Sequence, residues 1–180
     1  MRCKPTPGKC SITDKGAKMK AIRPATLVMV GAALSTGAFA QALPSKKILT
    51  LQVAQTIAQE ALSTCLGNGY KVSVLITDDA GRMKAFLRQD GAPNATITIA
   101  RLKADSVLAF GRASGPPPNL QPGQPVPPPI VPGTVNAQGG VPIMVDHQLI
   151  GVVAVSGAPG GDKDAVCANA GLAKVVDALK

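Results

Sequence analysis

Residues 139–161 read GGVPIMVDHQLIGVVAVSGAPGG. Two apolar runs, 141–145 and 149–156, flank the polar triplet Asp146-His147-Gln148, and glycines close both ends. The runs are short and β-branched, and the triplet between them is turn chemistry, so the stretch reads as a β-hairpin. The second run, IGVVAV, carries hardly any polar side chain. A strand of that kind is covered on both faces and lies centrally in its sheet.

Upstream of the hairpin, residues 71–77 alternate, with Val72, Val74 and Ile76 on one face and Ser73, Leu75 and Thr77 on the other. Asp78-Asp79-Ala80-Gly81 is a tight turn. Residues 82–89 return with Met83, Ala85 and Leu87 on one side and Lys84, Phe86 and Arg88 on the other, which makes a second antiparallel hairpin. Three helical patterns surround the hairpins. Thr50 can cap a helix with the stripe Leu51, Ala54, Ile57, Ala58, Ala61, Leu62 and Cys65, ending at Gly67-Asn68-Gly69. Asn94 or Thr96 can cap a second, running to Phe110, with Ile97, Ala100, Ala104, Val107 and Leu108 inward and Lys103 at the boundary of that stripe. A third starts at Asp162 and runs to Leu179, with Asp162 and Asp164 near its positive end. Hairpins separated by helices give an α+β fold, a single domain with an antiparallel β-sheet flanked by α-helices.

Residues 1–40 stand apart. A basic start at Met19-Lys20-Ala21-Ile22-Arg23, an apolar core at 27–34 and the small-x-small site Ala38-Phe39-Ala40 form a secretory signal peptide, with cleavage expected after Ala40 and Met19 the better start. The apolar run is shorter than the ~20 residues a membrane span requires. The chain is therefore expected to be periplasmic or secreted, with no membrane span after cleavage. Residues 41–48 serve as a tether and 49–180 as the domain. Of the 19 Lys and Arg, seven lie in the leader, with one of the 10 acidic residues. The mature chain keeps 12 basic against 9 acidic groups, net +3, and few aromatics, which argues against nucleic-acid binding.

Cys65 and Cys167 remain after cleavage, and two cysteines in an exported chain point to one disulfide, with two buried thiols as the alternative. If the first and last helices lie antiparallel on one sheet face, Cys65 at the end of one meets Cys167 near the start of the other. Residues 115–133, GPPPNLQPGQPVPPPIVPG, form a proline-rich crossover. It reads as an ordered segment lying along the surface, with a lid or a ligand for a proline-recognising partner as the functional alternatives.

Catalytic constellations are thin. His147 is the one histidine and sits in a turn, and no thiolate cluster or nucleophile elbow accompanies it. Gly139 and Gly140 can present backbone N–H groups to an anion. Arg88, Asp90, Arg101 and Lys103 group where the second strand leaves the sheet and on the helix that follows; the pattern reads first as a solvated helix face, and, if that helix packs beside the hairpin, Arg101 and Lys103 form a cationic rim for carboxylates.

The ordered pieces VSVLITDDAGRMKAFLRQDGA, ARLKADSVLAFGRAS, GGVPI and LIGVVAVSGAPGGDKDAVCANAGLAKV resemble the GlcG/HbpS-type haem-binding (haem-degrading) family over residues 49–179. The resemblance implies a profilin- or PAS-like outline and assembly into a homo-oligomer such as an octamer. It also implies non-covalent haem (heme) as a ligand, in haem or iron handling, haem degradation or haem-linked stress sensing. Arg88, Thr98, Arg101, Lys103, Gly139 and Gly140 then become ligand-binding residues, with the haem between the second helix and the sheet or at an oligomer interface. His147, Met144, Tyr70, Met83 and Thr98 are the axial candidates. A binding module for small carboxylates of the glycolate kind, or an accessory oligomer without haem, are the alternatives, and a classical enzyme is not expected.

Overall fold

The computed structural model describes residues 45–117 and 119–179. The leader, its cleavage site and the first half of the tether lie outside the described residues. Helix α1 spans Leu51–Gly67, strands β1 and β2 span Ser73–Asp78 and Met83–Arg88, and helix α2 spans Ala95–Phe110. After the crossover come β3 (Gly140–Val145), β4 (Gln148–Ser156) and α3 (Gly161–Ala173), then a 3-10 turn at Val176–Leu179. The last helix is thus shorter than its periodicity suggested, and its end tightens into the 3-10 geometry common at helix termini. Among the described residues no helix is long and apolar enough to cross a membrane.

The strands form one antiparallel sheet in the order β2-β1-β4-β3. The central pair β1 and β4 is sealed on both faces, which is why every residue of β1 is buried although its sequence alternates. Asp146 and His147 make the β3–β4 turn with φ of 47° and 64°, the two positive values that a two-residue type I′ hairpin demands. Thr50 caps α1 as the sequence suggests, accepting a hydrogen bond from Val53 N–H.

Two helices cover one face and one covers the other. α1 lies over β1 and β2, and α3 over β4 and β3. Their core joins Ile57, Ala61, Val74, Ile76, Val153 and Val155. The opposite face packs Leu75, Val152 and Ala154 against Ala100, Ala104 and Val107 of α2. Helices α1 and α3 touch backbone to backbone at Gly171, where a Cβ would stand 2.5 Å from the Ile57 carbonyl oxygen. The Cys65–Cys167 disulfide joins the same two helices, with Cα atoms 5.6 Å apart.

Lys103 departs from expectation. It occupies the inner stripe of α2, not its boundary, and its side chain is 3% exposed. The ammonium donates to Asp164 Oδ2 at 2.6 Å and to the Val155 carbonyl at 2.9 Å. The second oxygen of Asp164 accepts the Ala158 N–H. Burial pushes the Lys103 ammonium below its ordinary pKa and the Asp164 carboxyl above its own, and each partner's charge and hydrogen bond pull the other way without cancelling this. The pair ties α2 on one face to α3 on the other around the end of the sheet.

Two stability outcomes follow from these ties. Replacing Cys65 and Cys167 together by alanine opens a loop of 102 residues and should cost about 2–5 kcal/mol in urea unfolding of the oxidised protein. Lys103→Met strands a buried carboxylate and Asp164→Asn a buried ammonium, each costing about 3–5 kcal/mol. The double variant should lose clearly less than the sum of the two, and simple additivity in the same unfolding assay would show that the two groups do not act as a pair.

Candidate functional site

On the face shared by α1 and α3, α1 lies over the edge strand β2, and a hollow of about 630 Å³ opens between them. Its size falls within the ~300–1,000 Å³ usual for small-molecule sites. Ala58 of α1 and Ala85 and Leu87 of β2 give it an apolar floor. The small side chains at 58 and 85 leave the room open, because larger ones would fill it. Polar groups of α1 line the helical wall, among them Gln55, Thr56 and Gln59. Lys84 and Phe86, which alternate to the other side of β2, border the hollow at the strand.

At the mouth, Lys174 follows directly on α3, and its ammonium lies 3.7 Å from a Glu60 carboxylate oxygen. Both side chains are substantially exposed, so the contact orients the lysine more than it stabilises the fold. Thr56 donates its hydroxyl hydrogen to the Gln52 carbonyl, leaving its oxygen lone pairs available to the hollow. A second hollow of about 380 Å³ shares Thr56 and Lys174 with the first, so the cleft continues along α1.

The residues singled out from the sequence lie elsewhere and do not come together. Lys103 is not a rim cation, because it is sealed in the pair with Asp164. Arg101 sits on the α2 face, where its Nε meets Asp105 at 2.9 Å and its Nη1 donates to the Gly81 carbonyl. The Arg88 guanidinium donates to the Ala92 carbonyl, and Asp90 and Thr98 are exposed. No hollow separates α2 from the sheet at its core, where Ala100, Ala104, Val107, Val152 and Ala154 pack with no exposed surface.

The glycine pair also reads differently in three dimensions. Gly140 donates its N–H to Ser114 Oγ, and its carbonyl accepts from Ser114 N–H. A Cβ at Gly139 would stand 2.8 Å from Lys103 Nζ, and one at Gly140 2.6 Å from the Lys103 carbonyl oxygen. These glycines permit close packing of β3 against α2 and the ion pair; they do not form an open anion cradle.

Of the axial candidates, His147 and Met144 are exposed on the second hairpin and Met83 at the start of β2. Tyr70 lies beyond the end of α1, 5.7 Å from the Lys163 ammonium. None of them lines the hollow. Among the described residues no group of three or more His, Cys, Asp or Glu gathers to hold a metal ion. Lys174, Glu60 and Thr56 were missed by the sequence reading. The polar residues on the flank of α1 were the available signal, and a flank facing only water gives the same pattern.

Comparison with known proteins gives the fold its relatives. Protein GlcG of Escherichia coli K12 is 33% identical over 118 residues, covering 63% of this chain and 85% of GlcG. A double mutant of HbpS from Streptomyces reticuli superposes with a TM-score of 0.62 at 29% identity, over 79% of this chain and 97% of that one. The PduOC:Heme complex shares the fold, with a TM-score of 0.60 at 22% identity over 71% of this chain and 95% of that one. The family model for haem degrading protein HbpS-like matches residues 49–173, which takes in every helix and strand from α1 to α3. The chain belongs to the HbpS-like family of haem-degrading proteins.

Proposed function

We propose that this protein is exported, cleaved after Ala40 and binds haem reversibly in the hollow between α1 and β2, serving in haem or iron handling. The observation that carries the reading is the hollow itself: about 630 Å³ with an apolar floor and lysines at its border. Family membership supports haem as the ligand class.

The residues fit that ligand on chemical grounds. Ala58, Ala85 and Leu87 take apolar ring surface out of water. Lys174, already oriented by Glu60, and Lys84 supply ammonium groups for two propionates. The side chains lining the hollow include no imidazole, thiolate, thioether or phenol. Oxygen donors at the wall, the Thr56 hydroxyl and the Glu60 carboxylate, would be the groups available to the iron beside water. A site of this kind would hold haem reversibly, as a cargo that can be passed on.

A haemin titration of the cleaved, oxidised protein tests this directly. A saturable Soret change should appear, and Lys84→Ala/Lys174→Ala should weaken binding about tenfold, equivalent to about 1.4 kcal/mol. Leu87→Glu should nearly abolish it by placing a carboxylate in the floor. Arg101→Ala, on the opposite face, should leave it unchanged. A Soret titration that never saturates, or one that depends on Arg101 and not on the two lysines, would reject the site.

A further inference from the structure

Residues 121–133, QPGQPVPPPIVPG, run across the surface with every residue exposed. None of them lines either hollow along α1, nor a third of about 260 Å³ bordered by Leu49, Val53, Val145 and Ile150. The segment therefore covers none of these hollows. Apolar side chains stand out from it: Ile130 is 94% exposed and Val126 50%.

The feet of this strap are held firmly. Ser114 donates its hydroxyl to the Ala137 carbonyl and pairs with Gly140 through its backbone. On the other side Val135 N–H donates to Ser106 Oγ on α2. Between the feet, residues 125–129 (PVPPP) form no regular element, and four of the five lack a backbone N–H. Asn136 Nδ2 donates to the Pro127 carbonyl at 2.8 Å, which fixes one edge of the run toward the body.

A proline run of this kind favours polyproline II, with three residues per turn and a span of about 15 Å for five residues. Its repeat places Pro125 with Pro128, and Val126 with Pro129, on shared edges. The anchored feet reduce the ordering entropy lost on docking. Charge plays no part, because residues 113–145 contain no Asp, Glu, Lys, Arg or His.

We propose that the strap is a docking ligand for a protein domain that reads polyproline II through an aromatic-lined, electrically neutral groove. A second copy of this chain does not supply that groove. Among the described residues the aromatic side chains are Tyr70, Phe86 and Phe110, scattered over three elements. Tyr70 and Phe110 face Lys163 and Arg112, and Phe86 packs toward α2.

The chain contains no tryptophan, so a tryptophan in the partner's groove reports alone. The full cleaved protein is titrated into purified WW domains, and their tryptophan emission is followed. A saturable emission change is expected for at least one domain. Pro127→Ala/Pro128→Ala should weaken it about tenfold and Val126→Asp comparably, with far-UV circular dichroism unchanged. Flat emission with every domain overturns the proposal, as does a double variant that binds like the parent. So does a strap variant that shifts the sedimentation coefficient of the protein alone, because that assigns the strap to contact between copies.

Discussion

One buried ion pair ties the two sides of this fold together. Lys103 comes from the helix that covers one face of the sheet and Asp164 from a helix on the other, and they meet at 2.6 Å around the sheet's end. Two charges out of water are tolerated only with close geometry and further hydrogen bonds, here the Val155 carbonyl and the Ala158 N–H. That requirement leaves room for nothing larger than hydrogen at Gly139 and holds α2 hard against β1, β4 and β3. The face that looked most suited to a ligand, judged from its cations, is thereby closed.

The opposite face is governed by a different constraint. α1 and α3 touch backbone to backbone at Gly171, and the disulfide joins them one turn away along the same seam. The pair is centred over the inner strands, and of its two helices it is α1 that reaches β2. Small residues at 58 and 85 leave the space between α1 and β2 unfilled. The hollow follows from helix spacing set elsewhere, not from any local motif.

That difference explains what could be read from the sequence. Strand and helix positions were legible because each depends on a local period: the alternation of 72–77, the stripe through Ala54, Ile57, Ala58 and Ala61, the glycines at 67 and 69. The cysteine pairing was legible once two helices were placed on one face. Lys103 was misplaced although its spacing from Ala100, Ala104 and Val107 put it on the buried stripe; its charge argued for water, and its partner lies 61 residues away. The hollow was illegible for the same reason, being lined by α1, β2 and the residue after α3, whose side chains are ordinary surface types. Chemistry that depends on distant elements meeting leaves no pattern in either one.

For the proposed site, the disulfide bears on binding as well as on stability. One wall of the hollow is α1, and its border includes Lys174, which extends from α3. Cys65 and Cys167 join those same helices, so the bond holds the helix that precedes Lys174 against the one that walls the hollow. A site with strong axial ligation would tolerate drift in such a distance, because a metal–ligand bond dominates its energy. A site that relies on apolar contact, the exposed Lys174 and the half-buried Lys84 has no such reserve, since each surface charge contact is worth at most about 1 kcal/mol. The geometry of the walls then decides affinity, and a covalent staple between them supplies the rigidity that the ligating chemistry does not.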